Sequence, residues 1–351
     1  MIEKERKKER KKERQSNIEL LRIVSMLLVL LCHYVPTRYN GVFSPSNVPQ
    51  GLNPLDTDLQ NTITNLELRS LSIVCTHCFL LISGYFGIKF KIKSLANLIF
   101  QMLFWCIVCI AIAVIIAGNL SPIPSIRTFI NTIIYGWFPT GYIILFVLSP
   151  ILNSFINSCS EKELGKYIIY FYLLSTIGGY ILGFNDFNEG MSTLSMCGLY
   201  LIGAYLRTTS LKIFSLKAKY DLLIYLGLGF AMVVLNLILL YFRIYTSPYG
   251  YLNPVVILMS IYLFLFFKKI NIGSNNIINF FSASAFSIYL FHCNIYIGSN
   301  ISQMWRDINT HFGISSSIFV GILSFIAIYL LCTLIDQIRI VLYNKVICNF
   351  L

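Results

Sequence analysis

Apolar runs about 20 residues long recur from residue 18 to residue 335, separated by short polar segments, and they leave this chain few folds to choose from. A run of that length crosses the hydrocarbon core of a bilayer as a helix. Charge is correspondingly scarce. Charged residues make up 12% of the chain, against roughly 25% in an ordinary soluble domain. Twelve of those 42 charges fall in the first 14 residues. A soluble globular enzyme is excluded, and so is a disordered chain, because disorder requires low hydrophobicity. The expectation is an all-α, polytopic transmembrane helix bundle.

Ten spans are expected, near 18–36, 69–88, 95–117, 139–156, 166–184, 194–208, 221–243, 253–268, 281–298 and 314–335. Pro124, Arg127 and Pro139 interrupt 123–140, which suits a re-entrant or interfacial helix. With the N-terminus in the cytoplasm, 22 of the 27 Lys and Arg fall on that side, and only Arg38, Arg69, Arg127, Arg243 and Arg306 fall outside. Lys and Arg set orientation, and an odd number of spans would spoil the asymmetry. Both termini are therefore expected in the cytoplasm. The organisation read from this is a charged tail (1–16), a membrane domain (17–340) and a short tail (341–351). The net charge of +12 is first a topology signal, and nucleic acid is a poor reading of it. The tail alternates Lys/Arg with Glu and reads as a solvated arm. The apolar run after it is long enough to span and carries no cleavage pattern. The outer loop 37–68, with Pro45, Pro49, Pro54, Asp56, Asp58 and Glu67, is long enough to be functional or to be a plain connector. Abundant Ile, Asn and Lys suggest a bacterial gene, hence a bacterial inner membrane.

The ten cysteines lie mostly in apolar runs. Cys75 and Cys78 have CxxC spacing with His77 between them, yet structural zinc needs four convergent ligands. Packing as small apolar residues is the simpler account, and no metal is expected.

Ionisable residues within a bilayer are costly and mark candidate sites. Arg22 and His33 are 11 residues apart, three helical turns plus about 20°, so they share a face about 16 Å apart. Glu19 lies three residues before Arg22 and suits an ion pair with it. Arginine grips phosphate bidentately, and histidine titrates near neutrality and moves protons. A long phosphorylated donor anchored at Arg22 would lay its reactive end toward His33. The bland alternatives are a snorkelling anchor for Arg22 and a packing histidine for His33. His292 in the ninth span is placed to face the same cavity. His77, Ser83 and Tyr85 in the second span are weaker candidates.

The first span, with Glu19, Arg22, ten intervening residues and His33, resembles the opening of the integral-membrane acyltransferase-3 family. Later segments agree in order: Phe79 to Phe86 with Ser83, Gly84 and Tyr85; Trp137 to Tyr142, running on to Pro150; Gly198 to Leu206; and Ser284 to His292. The resemblance implies O-acyl transfer, usually of acetyl from cytoplasmic acetyl-CoA, to a sugar hydroxyl of a surface polysaccharide or its lipid-linked precursor. It implies a stand-alone type without a fused esterase domain, possible glycan-assembly proteins as partners, and the lipid bilayer as surroundings. Under it His33 is the general base or a covalent acyl carrier. Arg22 meets the CoA phosphates with Lys89, Lys91 and Lys93, and Ser83, Tyr85 or His292 steadies the oxyanion. The rival expectation is a polytopic transporter or flippase of a glycan or small solute, which would leave the Arg22/His33 stripe without a purpose.

Overall fold

The computed structural model describes residues 15–39, 59–134, 136–242, 244 and 248–347. The tail 1–14, the Pro- and Asp-bearing part of the outer loop (40–58), Arg243 and Cys348 lie outside them. Fourteen α-helices and no strand occur among the described residues. They are α1 Ser16–Tyr34, α2 Leu59–Ser72, α3 Cys75–Phe86, α4 Ile92–Ala117, α5 Ile126–Ile133, α6 Trp137–Ser158 and α7 Glu161–Leu174. Then follow α8 Thr193–Thr208, α9 Ala218–Tyr241, α10 Pro254–Lys269, α11 Asn276–Ser282, α12 Ala285–His292, α13 Gly298–His311 and α14 Ile314–Leu342.

Six helical segments are long and apolar enough to cross a membrane: Ser16–Thr37, Gln60–Phe86, Ile92–Ala117, Trp137–Ser158, Ala218–Tyr241 and Ile314–Lys345. The other expected spans fall on α7, α8, α10 and α11–α12, which are shorter or broken. The outward side chains of α4, α9 and α14 include Ile107, Ile115, Leu223, Phe230, Phe319 and Leu334. Such a surface aggregates in water and suits lipid.

The hub is α1, which touches α2, α3, α10, α11, α12, α13 and α14. The closest helix pair is α3 with α8. A Cβ on Gly84 would come within 2.0 Å of the Tyr200 carbonyl oxygen, and one on Gly203 within 2.3 Å of that of Leu81. Only glycine lets these two backbones meet, the device that membrane bundles use to gain packing without a hydrophobic drive. The ends of several helices follow from local sequence. Ser160 and Glu163 close a capping box on α7, while Asn253 caps α10 with Pro254 in its first turn.

Three sequence expectations change. Residues 59–68, assigned to the outer loop, are helical and form most of α2. Its buried stripe is partly polar (Thr62, Asn65, Leu66, Ser70), so hydropathy misses it. Its surroundings satisfy it: Ser70 donates to the Gly229 carbonyl of α9, and Tyr249, in the α9–α10 connection, donates to that of Leu66. The expected continuous helix over 281–298 is instead α11, a break at Ala283 and Ser284, α12, and a turn into α13. The break lets Ser284 and Ser287 both reach Asp336. Finally, α14 runs past residue 335 to Leu342. Arg339, counted from sequence among the cytoplasmic-side charges, and Asp336 are thereby buried in the bundle. In the proline-interrupted stretch, α5 is a short helix with most side chains exposed.

Candidate active site

Because α1 is unbroken from Ser16 to Tyr34, its 3.6-residue period can be followed directly. Glu19, Arg22, Met26 and Val29 line one wall of a cavity of about 600 Å³. His33 continues the same stripe one turn further on, but neither it nor His292, expected from sequence to face the same cavity, lines this one. Opposite them the cavity is walled by Asn97 and Gln101 of α4, by Ser282, Phe286 and Tyr289 near α11 and α12, and by Arg339 of α14.

Two arginine–carboxylate pairs of identical spacing stand on this cavity. Arg22 Nη1 lies 3.0 and 3.1 Å from the two carboxylate oxygens of Glu19, which also accepts a hydrogen bond from Ser282. Arg339 Nε donates to Asp336 Oδ1 at 2.6 Å and its Nη2 to Oδ2 at 3.0 Å, while Nη1 donates to Asn97 Oδ1 at 3.0 Å. Asp336 accepts further bonds from Trp105 Nε1 (3.2 Å), Ser284 Oγ (2.9 Å) and Ser287 Oγ (2.6 Å). Gln101 in turn donates to Ser287. Asp336 is fully buried and Arg339 is 4% exposed. Each acid balances its arginine, so what these pairs offer the cavity is directed N–H groups rather than net charge. Three of the five donors of Arg339 are used by the protein.

The stripe leads to a histidine pair. His33 Nδ1 and His292 Nε2 are 2.9 Å apart. The tautomers follow from the partners. His292 Nδ1 lies 2.7 Å from the Ile288 carbonyl oxygen, which can only accept, so Nδ1 carries the proton. In a neutral ring Nε2 is then an acceptor, and His33 Nδ1 must donate to it. The remaining nitrogen of His33, Nε2, holds a lone pair that no hydrogen bond uses among the described residues. His33 is exposed and His292 buried, so the pair is open from the His33 side. Tyr289, on the cavity wall, sets its ring edge-on to His292 at 5.8 Å. Behind His33, Arg69 donates to the carbonyl and the sulfur of Cys32.

The other sequence candidates divide. Ser83 lines the cavity, but its one proton goes to the Phe79 carbonyl, so it accepts from the Tyr142 hydroxyl at 3.1 Å. Tyr85 is absent from the cavity wall. It packs on Phe264, with Lys268 Nζ 4.9 Å from its ring centre. The proton on His292 Nδ1 is committed to Ile288. None of the three thus aims an uncommitted proton at an oxyanion in this arrangement. Lys89, Lys91 and Lys93 are exposed and do not line the cavity. Their segment leads into α4 one turn before Asn97, and the Lys93 carbonyl accepts from Tyr343, itself a wall residue. Cys75, His77 and Cys78 do not converge as ligands; the His77 ring faces Tyr251 at 5.6 Å.

Sequence reasoning missed Asp336, Arg339, Asn97 and Gln101. One signal was available: Asp336 and Arg339 repeat the spacing of Glu19 and Arg22.

A lipid-facing helical bundle that sets guanidinium groups on the wall of an internal cavity, with a histidine pair on the same α1 stripe one turn beyond that wall, has the parts of a membrane transferase. Residues 15–336 match the family model described as Acyltransferase domain, Acyl_transf_3, and the chain belongs to the acyltransferase-3 family. No curated protein and no solved structure matches it.

Proposed function

We propose that this chain transfers an acyl group, acetyl from cytoplasmic acetyl-CoA, to a hydroxyl of a cell-surface polysaccharide or its lipid-linked precursor. The family is one of membrane acyltransferases that generally acylate polysaccharides. The observation that carries the reading is the single stripe on α1 from Glu19 and Arg22, through Met26 and Val29 on the cavity wall, to His33 one turn beyond. A donor with phosphates at one end and a thioester at the other matches it. The axial distance, about 16 Å, is of the order of an extended pantetheine arm.

In this reading Arg22 and Arg339 grip the donor phosphates from two walls, and Lys89, Lys91 and Lys93 attract the anion to that end of the cavity. The acceptor hydroxyl gives its proton to His33 Nε2 as its oxygen attacks the thioester carbonyl. The tetrahedral intermediate expels the CoA thiolate, and His33 returns the proton to that sulfur. His292 accepts from His33 Nδ1 throughout, which fixes the reactive tautomer and spreads the positive charge of the imidazolium. A covalent acetyl-His33 is the variant route, with the same nitrogen as nucleophile. The chain would work in the inner membrane of a bacterium, its acceptor delivered by glycan-assembly proteins. No nucleic acid enters this account. A transporter leaves the histidine pair and its bare nitrogen unused.

The test compares surface glycans by mass spectrometry from cells carrying wild-type protein, His33→Ala, or no gene. An acetyl mass present only with wild type supports the reading. Acetylation retained in His33→Ala overturns it.

A further inference from the structure

The histidine pair has a third neighbour that acyl transfer does not use. Cys293 Sγ lies 3.3 Å from His292 Nε2 and 3.7 Å from His33 Nδ1. Among the described residues this is the group of three His, Cys, Asp or Glu side chains whose ligand atoms converge, all within 4.8 Å of one another. A tetrahedral zinc ion holds nitrogen at about 2.0–2.1 Å and sulfur at about 2.3 Å, so its ligand atoms stand roughly 3.3 to 3.6 Å apart. The two sulfur distances already straddle that range. The two nitrogens need to part by only a few tenths of an ångström from their 2.9 Å contact.

We infer that His33, His292 and Cys293 form a binding site for one divalent transition-metal ion of the zinc type, and that an ion there disables His33 as a base. Two imidazoles and a thiolate suit zinc, cobalt or copper rather than magnesium or calcium, which take oxygen ligands. The Ile288 carbonyl, already bonded to His292 Nδ1 at 2.7 Å, is the outer partner that aims Nε2 at the ion. The exposed edge of His33 gives the ion a way in, and a water completes the fourth position. The bookkeeping of protons is explicit. Cys293 releases its thiol proton to solvent. The His33 proton moves from Nδ1, whose lone pair now binds metal, to Nε2. The nitrogen that would take the acceptor's proton is then occupied, so metal and catalysis compete for one residue. The site itself stands on geometry alone; only its inhibitory effect rests on the transferase reading.

The test uses the full chain, purified in detergent, stripped with a chelator and titrated with Co²⁺. The site predicts one equivalent bound with a thiolate-to-cobalt charge-transfer band, displaced by Zn²⁺. Cys293→Ala and Cys293→Ser should each lose that band and bind Co²⁺ more than ~10-fold more weakly, since losing an outer partner alone costs 10–100-fold. Both variants keep metal-free acyl transfer and resist Zn²⁺, whereas wild type is inhibited as the site fills and recovers with chelator. A band absent from wild type, or unchanged in both Cys293 variants, overturns the site. A band present in an active enzyme that Zn²⁺ leaves active overturns the competition. If no preparation transfers acyl groups, the transferase reading fails, and the cobalt titration still decides the site.

Discussion

Replacing Asp336 with alanine should cost this protein more stability than any other single change at the cavity. Its carboxylate accepts five hydrogen bonds: two from Arg339 and one each from Trp105, Ser284 and Ser287. Arg339 is left charged at 4% exposure with only Asn97 to hold it. Breaking a buried ion pair from one side costs about 3–5 kcal/mol. Each neutral donor left without a partner adds roughly 1–3 kcal/mol when isolated. Neighbours in one network do not add in full, so about 5 kcal/mol is expected, between three and four orders of magnitude in the unfolding constant. Unfolding by SDS in mixed micelles measures it. The double variant Asp336→Leu with Arg339→Met removes both charges together, and such exchanges are often close to neutral. It should recover most of the stability yet show a raised KM for acetyl-CoA, because Arg339 lines the cavity proposed to hold the donor. An Asp336→Ala protein that unfolds at the wild-type SDS fraction would refute the reasoning.

Further outcomes follow from the same geometry. Arg22→Ala should raise the acetyl-CoA KM by roughly 10- to 100-fold, the worth of a charged hydrogen bond to phosphate, and an unchanged KM would remove Arg22 from the donor site. His292→Ala should lower kcat by about 10- to 100-fold, less than the 10²–10⁴ that a general base itself contributes, with little change in KM. Steady-state kinetics in proteoliposomes separates the two. Gly84→Ala forces a Cβ to within 2.0 Å of the Tyr200 carbonyl oxygen and should destabilise by about 1–3 kcal/mol or more. Gly227→Ala, whose Cβ meets nothing within 4 Å, should be neutral in the same unfolding assay.

The legible parts of this molecule were those governed by a regular period. The stripe on α1 could be written down from the spacing of Glu19, Arg22 and His33, because an uninterrupted helix turns 100° per residue. The same rule places Ser83 and Tyr85 about 200° apart, so one segment could not aim both at the cavity, and Tyr85 indeed packs elsewhere. The illegible parts depend on partners distant in sequence. Nothing local marks the break at Ala283 and Ser284, where neither proline nor glycine occurs; it goes with bonds from Ser284 and Ser287 to Asp336 about 50 residues away. Arg339 looked like a flanking charge because the expected span ends before it, whereas it pairs with Asp336 inside the bundle. The start of α2 was hidden for a related reason, since its buried face is partly polar and is satisfied by α9 and Tyr249.

The histidine that ends the α1 stripe bears the whole chemical account, and one experiment isolates it. Purified protein is reconstituted in liposomes with labelled acetyl-CoA and a saccharide acceptor, and acetyl-ester formation is followed for wild type, His33→Ala and His33→Gln. Loss of the ester in both variants, with folding and acetyl-CoA binding retained, is the predicted result. Ester formation at an undiminished rate by either variant would contradict it.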